Sequence, residues 1–343
     1  MFGRSSKPIR VQVFGKTDVG RSREHNEDRF LVADLTRKDA SLQPQVRQHD
    51  LGERGSLFVV ADGMGGAAAG ELASQMATDT ILAHLLKAWN AEAEATPQRF
   101  AHRLKEAVEV ANANIHAHAK AHPEVRGMGT TTTAAGVLGD HLYLTQVGDS
   151  RAYLVRDGVA HQLTKDQSLM QRLVEAGELT EDEAAQSERR NIILQALGPD
   201  PKVKVDLTHQ DLRRGDTLVL CSDGLSGQVK REEIAQVATQ SPDLTTACDK
   251  LIALANERGG PDNITVVMAR FDGDGLRSSG QQEEVGHQVY PLIDTETSTE
   301  PVPVYKGSRA PVPAKEARGR LVTVVLAALA AAAAVLWYFT RNG

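Results

Sequence analysis

The chain has 343 residues and a formal net charge of −6, with 41% hydrophobic and 24% charged residues. This length allows one large domain or two smaller ones, and the acidic balance gives no support for a nucleic-acid partner. The two cysteines, Cys221 and Cys248, have neither a metal-binding spacing nor the pattern of a disulfide framework. We interpret them as buried thiols in a reducing compartment.

The N-terminal part of the chain predicts three strands followed by two long helices. Apolar, valine-rich runs predict strands at residues 9–14, 29–34 and 57–62. The polar stretch at 36–56 predicts an exposed loop between the second and third strands. Apolar residues at helical spacing predict amphipathic helices over 70–88 and 97–121. Pro97 suits the first turn of the second helix.

The following part predicts short strands and further helices. Strand-like runs occur at 129–138, 141–147, 151–156, 203–207, 217–222 and 264–270, and the first three resemble an antiparallel meander. A polar helical stretch at 168–185 is interrupted at Gly177, and amphipathic helices are predicted over 231–239 and 245–256. Because strands and helices do not alternate regularly, we expect an α+β domain over residues 8–272. It has two antiparallel sheets packed as a sandwich and flanked by pairs of α-helices.

The C-terminal part differs in composition. Residues 273–320 contain few core residues and many Pro, Ser, Thr and Glu residues, which is typical of a flexible linker. Residues 321–339 carry no charge and are about long enough to span a bilayer as a helix. Basic residues precede this run and only Arg341 follows it, so we expect a single-pass anchor in the inner membrane with the domain in the cytoplasm. The alternative is a buried, alanine-rich helix of a soluble domain.

Acidic residues adjoin the ends of several predicted strands. Four lie beside Gly or Asn, at Asp62-Gly63, Gly148-Asp149, Asp223-Gly224 and Asp262-Asn263. A fifth place is the acidic pair Glu27-Asp28, which precedes a strand. Such residues can converge at one edge of a sheet, although each Asp-Gly pair taken alone is also a common turn.

Converging carboxylates without a His or Cys cluster favour Mg²⁺ or Mn²⁺ over zinc. Two such ions about 3.5–4 Å apart lower the pKa of a bound water, which can then attack phosphorus in line. Arg23 lies close to this acidic pair in sequence, and its guanidinium has the forked donors that suit a phosphate. The pattern therefore predicts metal-assisted hydrolysis of a phosphate ester.

Seven segments carry a resemblance to a known family. In chain order they are TDVGRSREHNED, VVADGMGGAAAGE, GMGTTTTAA, VGDSRAYL, LTKDQSL, LVLCSDGL and GGPDNITVV. Through them, over about residues 11–269, the chain resembles the metal-dependent serine/threonine protein phosphatases of the PP2C (PPM) family in its bacterial form. The resemblance implies a PP2C-like fold, a protein-serine/threonine phosphatase activity and two or three Mn²⁺ or Mg²⁺ ions.

The resemblance also implies which residues bind the two main ions. Asp62 is similar to the ligand that bridges both ions, and the Gly63 backbone carbonyl to a ligand of one of them. Asp223 and Asp262 are similar to ligands of the second ion.

Other residues have further roles by the same resemblance. Glu27 and Asp28 are similar to the acidic pair that holds metal-bound waters and supports the bridging aspartate. Asp149 is similar to a ligand of a third ion. Arg23 resembles the arginine that binds the substrate phosphate, and Asn263 resembles a supporting residue that orients its neighbouring aspartate.

One departure from the family pattern concerns the general acid. Many relatives have a histidine shortly after the Asp-Gly pair, where this chain has Met64 and Ala67. The proton for the leaving oxygen then comes from His25 or from a metal-bound water. The stretch 164–195 is similar to a flap that borders the site in bacterial members.

These observations predict a monomeric, membrane-tethered phosphatase that acts on phosphorylated proteins and opposes a Ser/Thr protein kinase. Two alternatives remain open. The first is a non-catalytic, metal-binding signalling module of the same fold, which the missing histidine favours. The second is a specialised phosphatase of a single switch protein.

Overall fold

A computed structural model describes residues 7–280 and 284–292 of the chain. Two antiparallel sheets of six strands each form its centre. The first has the strand order β3 (Gln48–Asp50), β1 (Arg10–Asp18), β12 (Ile264–Asp272), β11 (Thr217–Cys221), β8 (Arg151–Arg156) and β9 (Val159–Gln162). The second has the order β10 (Asp206–Asp211), β7 (His141–Val147), β6 (Thr132–Leu138), β4 (Ser56–Met64) and β2 (Asp28–Asp34), and β5 (Gly129–Thr130) pairs with the end of β4. The predicted pair of antiparallel sheets is confirmed.

Paired helices cover the outer faces of both sheets. The second sheet carries α2 (Ala67–His84), which continues into a π-helical turn (Leu85–Trp89), and α3 (Pro97–Ala121). The first sheet carries α7 (Arg231–Gln240) and α8 (Leu244–Glu257). Short helices lie in the connections. They are α1 (Pro44–Arg47), a 3₁₀ turn (Pro123–Val125), α4 (Leu169–Glu175), α5 (Glu181–Gln186) and α6 (Asp223–Ser226).

Asp243 caps α8, because its Oδ1 accepts a 2.7 Å hydrogen bond from Thr246 N.

The main core lies between the two sheets. Val13 and Phe271 of the first sheet pack in one cluster with Phe58 and Leu144 of the second, and all four are fully or nearly fully buried. The other face of the first sheet packs against α8 through residues such as Leu251. The order of layers is therefore helix, sheet, sheet, helix.

The turn at 148–150 changes sheets, which the predicted meander did not include. β6 and β7 are neighbours in the second sheet, whereas β8 belongs to the first. Asp149 consequently lies where the chain crosses from one sheet to the other.

Two local predictions differ from the structure, and one strand was not predicted. The exposed loop predicted at 36–56 contains α1 and β3, and the side chains of Val46 and His49 are buried within it. Val46 packs in the core cluster between the sheets, and the His49 imidazole lies 2.8 Å from Ser56 Oγ. The strand predicted at 203–207 lies at Asp206–Asp211, and β9 was not predicted. The interruption predicted at Gly177 is confirmed, because α4 ends before it and α5 begins after it.

Residues 284–292 lie along β10, although their composition predicted a flexible linker from 273 onward. His209 N donates to Gln288 O at 2.9 Å, and Tyr290 N donates to Leu207 O at 3.0 Å. We call residues 284–292 the C-terminal strap. Packed structure thus continues beyond residue 272.

The remaining linker after residue 292 and the helix predicted at 321–339 lie outside the described residues. Within 7–280 and 284–292, none of the helices has the length and apolar character needed to cross a membrane.

Candidate active site

Five aspartates from both sheets come together in the structure. Asp28 and Asp62 lie directly opposite each other in the register of β2 and β4. Asp149 lies in the turn before β8, Asp223 is the first residue of α6 after β11, and Asp262 precedes β12. Burial raises the pKa of Asp62 well above its ordinary value, and the other four carboxylates raise it further. The sequence-predicted aspartates therefore form one electrostatic cluster.

The two most buried members of the cluster carry large pKa shifts. Burial is the main cause that raises the pKa of Asp28 to about 7, and the charges of Asp223 and Asp262 add to it. Hydrogen bonds oppose this shift, including the one that Ser222 Oγ donates to Asp28 Oδ2 at 2.7 Å. Burial, and then the charge of Asp223, raise the pKa of Asp149 to about 7. Sequence reasoning missed Ser222, whose one signal was its place directly before Asp223.

Three oxygens of the cluster have chemistry that fits a divalent cation. In the described part of the chain, Asp28 Oδ1, Asp149 Oδ1 and Asp223 Oδ1 are buried and have no hydrogen-bond partner. A buried, unpaired carboxylate oxygen is costly, and a hard cation removes that cost by accepting it as a ligand. Among residues 7–280 and 284–292, no three His, Cys, Asp or Glu side chains are already grouped as a metal-binding set. The cluster thus fits a cation by its charge and donor atoms, and side-chain adjustment must complete the coordination.

The backbone of Asp62 is fixed on both sides by threonines. Asp62 N donates to Thr131 Oγ1 at 3.1 Å. Thr131 N and Thr130 Oγ1 donate to Asp62 O at 2.8 and 2.9 Å. The polar Thr run therefore holds the strand end that carries the central carboxylate.

Two glycines allow helix α2 to approach β4 beside Glu27. A Cβ atom on Gly63 would overlap the carbonyl oxygen of Gly70, and it would lie 2.7 Å from Glu27 O. A Cβ atom on Gly70 would overlap Glu27 Oε2. Burial raises the pKa of Glu27, and the charge of Arg23 opposes the shift. Gly63 and Gly70 therefore make room for Glu27 between the end of β4 and helix α2.

Asn263 holds the loop that carries Arg23 and Glu27. Its Oδ1 accepts from Glu27 N at 2.8 Å, and its Nδ2 donates to Val19 O and His25 O at 3.0 and 2.9 Å. It also binds its neighbour, because Asn263 N donates to an Asp262 carboxylate oxygen at 2.8 Å. Asn263 thus holds the backbone of this loop at Val19, His25 and Glu27.

Arg23 is bound to the cluster but remains accessible. Its Nη2 donates to Asp262 Oδ2 at 2.8 Å, while half of the side chain is exposed. This hydrogen bond to Asp262 is the main cause that raises the pKa of Arg23. A guanidinium has five N–H donors, so the others can bind a phosphate while the bond to Asp262 persists.

The two positions considered for the general acid differ in their surroundings. Met64 pairs with Gly129 in the register of β4 and β5, and its half-buried thioether has no proton to give. His25 is exposed, and its charge acts with that of Arg23 to lower the pKa of Glu27, so it lies within electrostatic reach of the cluster.

Comparison with known proteins identifies the family. The model of the protein phosphatase 2C family matches residues 32–262. The chain is 38% identical over 258 residues to the serine/threonine phosphatase Stp of Listeria monocytogenes, which covers 75% of this chain and 94% of that protein. It is 43% identical over 213 residues to the serine/threonine protein phosphatase PstP of Mycobacterium tuberculosis, covering 62% of this chain but 40% of PstP. The chain therefore belongs to the protein phosphatase 2C family, and both of these relatives are named serine/threonine phosphatases.

Solved structures agree with this assignment. The crystal structure of M. tuberculosis PstP/Ppp has a TM-score of 0.64 and 37% identity, and the match covers 77% of this chain and 99% of that one. A structure of the PstP catalytic domain in complex with two manganese ions has a TM-score of 0.63 at the same identity and coverage. The two-sheet fold described above is therefore the PP2C fold.

Proposed function

We propose that this chain hydrolyses phosphoserine and phosphothreonine in proteins with two or three Mn²⁺ or Mg²⁺ ions bound by the aspartate cluster. The observation that carries the proposal is the set of three buried carboxylate oxygens that lack a partner within the described residues, beside Asp62. The PstP structure with two manganese ions and the names of the relatives support the same metal and substrate class.

In this proposal Asp62 would supply ligand oxygens to both main ions, and the Gly63 carbonyl to one of them. Asp223 and Asp262 bind the second ion. When bound, the ions supply a water of lowered pKa for in-line attack and balance the charge that develops on the phosphoryl group.

The remaining residues orient the substrate and complete the cation sites. Arg23 binds the phosphate through the N–H groups that do not contact Asp262. Glu27 and Asp28 hold waters at the ions, and Asp149 binds a third ion through its unpaired oxygen. Met64 cannot protonate the leaving oxygen.

Phosphate release from a phosphothreonine peptide tests this function. We expect the purified full-length chain to release phosphate with Mn²⁺ and not with chelator. Asp62→Asn should lower the rate by about 100-fold or more. Asp249→Asn is the matched control, because Asp249 is exposed and paired with Lys16 at 2.6 Å, and it should keep full activity. An inactive wild-type chain with fewer than two bound Mn²⁺ by calorimetry would instead favour a non-catalytic binding module.

We further propose that the domain works at the inner face of a membrane and opposes a Ser/Thr protein kinase. The uncharged run at 321–339, with its excess of preceding basic residues, supports this location. The full chain should sediment with membranes, and a chain that ends at residue 320 should not. Phosphoproteomics of an Asp223→Asn strain should reveal the substrates as sites whose phosphorylation rises, and a single such protein would favour the specialised alternative.

A further inference from the structure

Gln167 makes five hydrogen bonds to other residues, one of which runs from its Nε2 to Lys204 O at 3.4 Å. Its side-chain Oε1 accepts from Gly148 N at 3.0 Å, and its backbone N donates to Gly148 O at 2.9 Å. Its Nε2 donates to Asp206 Oδ2 at 2.9 Å, and its carbonyl accepts from Leu194 N at 2.8 Å. Gln167, which itself lies in the 164–195 flap, therefore connects the turn before Asp149 with the first residue of β10 and with Leu194 near the other end of the flap.

Asp149 depends on this backbone for its position. Its Oδ1 is buried, and within the described residues that oxygen has no hydrogen-bond partner. The Asp149 carboxylate also has a hydrogen bond to its own backbone, so its position follows that of the chain at 148–149. Gly148 has a φ of +102°, which favours glycine, and Gln167 holds both its N–H and its carbonyl group. Gln146 Nε2 adds a bond of 3.1 Å to the same carbonyl.

Asp206 fixes the orientation of the Gln167 amide. An ionised carboxylate only accepts hydrogen bonds, so the NH₂ group of the amide faces Asp206 and its oxygen faces Gly148 N. The Gln167 amide thus lies between the donor Gly148 N and the acceptor Asp206 Oδ2, and only this one orientation of the amide satisfies both. Removal of Asp206 would free the Gln167 amide to rotate and weaken the hold on Gly148 N, while the backbone bond to Gly148 O would persist.

We propose that Gln167 is a positioning residue that holds the Asp149 carboxylate where it can bind a divalent cation. This proposal rests on the proposed function, because it takes Asp149 as a cation ligand. Residues that orient a metal ligand in this way commonly change metal affinity by about 10- to 100-fold when they are replaced.

A pair of substitutions tests the arrangement. Gln167→Glu removes the donor to Asp206 and sets two carboxylates against each other. Adding Asp206→Asn restores a donor–acceptor pair, because the new amide can donate to the new carboxylate. Gln171→Glu is the matched control. It makes the same change on exposed helix α4, where Gln171 lies 3.4 Å from Glu175, without a contact to Gly148.

Calorimetric titration of the full-length chain with Mn²⁺ alone is the measurement. We assign to Asp149 the binding step that is present in the isotherm of wild type and absent from that of Asp149→Asn. We expect its Kd to rise about tenfold in Gln167→Glu and to stay within about twofold of wild type in the double variant and in Gln171→Glu. Thermal unfolding without cations checks that each variant is folded.

Three outcomes would overturn the proposal. They are an unchanged Kd in Gln167→Glu, no recovery in the folded double variant, and a wild-type isotherm for Asp149→Asn. Should Gln167→Glu not fold, Asp206→Ala is expected to raise the Kd about threefold, and no change there would also refute the proposal. The phosphatase function is judged separately, by phosphate release from wild type and Asp62→Asn.

Discussion

Ser222 Oγ donates a 2.7 Å hydrogen bond to Asp28 Oδ2, across 194 positions of sequence. The same hydroxyl accepts from Thr265 N at 3.0 Å. Ser222 follows β11 of the first sheet, whereas Asp28 begins β2 of the second. One side chain therefore ties the two sheets together at the aspartate cluster.

Ser222→Ala should destabilise the protein by about 1–3 kcal/mol, because it removes a donor from a buried carboxylate. Urea unfolding of the chelated protein measures the free energy of unfolding. The matched control is Ser241→Ala, since the buried Ser241 hydroxyl has no hydrogen-bond partner among the described residues, and this change should cost little. Equal losses in the two variants would contradict a specific contribution from the bond to Asp28.

The chelated protein should lose stability as pH rises from about 4 to about 7. Asp28 and Asp149 have folded-state pKa values of about 7, above the ordinary value of 3.8. Between these values the folded state binds more protons than the unfolded state. The free energy of unfolding therefore falls by up to about 1.4 kcal/mol per pH unit for each group.

Manganese should reverse this trend, because cations replace the protons between the carboxylates. The rise in Tm on adding Mn²⁺ should be larger at pH 8 than at pH 5.5, measured by differential scanning fluorimetry. Asp28→Asn should flatten the pH dependence of the chelated protein. An equal Mn²⁺ effect at both pH values would argue against these carboxylates as cation ligands.

Gly70→Ala should lower phosphatase activity about tenfold or more without a gain in stability. In an ordinary helix interior this change stabilises by about 1 kcal/mol. Here the new Cβ would overlap Glu27 Oε2 and lie 2.9 Å from Gly63 C, so Glu27 must leave its place. Gly286→Ala is a suitable control, because no atom lies within 4 Å of its added Cβ. An active, stabilised Gly70→Ala variant would show that the position of Glu27 is unimportant.

Tyr290→Ala should release the C-terminal strap from β10. The Tyr290 ring packs edge-on against Tyr143 and His209, with centroids 5.3 and 5.2 Å away, and its hydroxyl donates to Gln98 at 2.8 Å. We expect faster amide hydrogen exchange in β10 and a loss of about 1–2 kcal/mol.

Val289→Ala is the control for the strap, because the Val289 side chain is 69% exposed. It should leave exchange in β10 unchanged. If Tyr290→Ala also left the exchange unchanged, the strap would not stabilise this edge of the sheet.

Local sequence signals were sufficient for much of the fold. Helix α3 runs over Pro97–Ala121, the range predicted from its apolar spacing and its proline. β4 and β11 were found because apolar runs end at Asp62 and Asp223, and the same pattern marked the members of the cluster.

Long-range contacts account for what the sequence did not reveal. The bond between Ser222 and Asp28 and the one between Gln167 and Asp206 join residues with no common local pattern. The strap was interpreted as linker because residues 273–320 as a whole are rich in Pro, Ser, Thr and Glu. Its pairing depends on the free edge that β10 offers. The sheet change at Asp149 follows from the strand pairings on either side, which a single apolar pattern cannot specify.

The aspartate cluster draws on both halves of the sandwich, with Asp28 and Asp62 from one sheet and Asp223 and Asp262 beside strands of the other. Ions bound among them would cross-link the sheets, so the sheets could not part without losing the ions. Ligands that bind only the folded state stabilise it by about 2.7 kcal/mol at 100 times their Kd. The lifetime of the protein against proteolysis should therefore follow the free manganese concentration. A cell depleted of manganese then loses the phosphatase itself by degradation, beyond the loss of its activity.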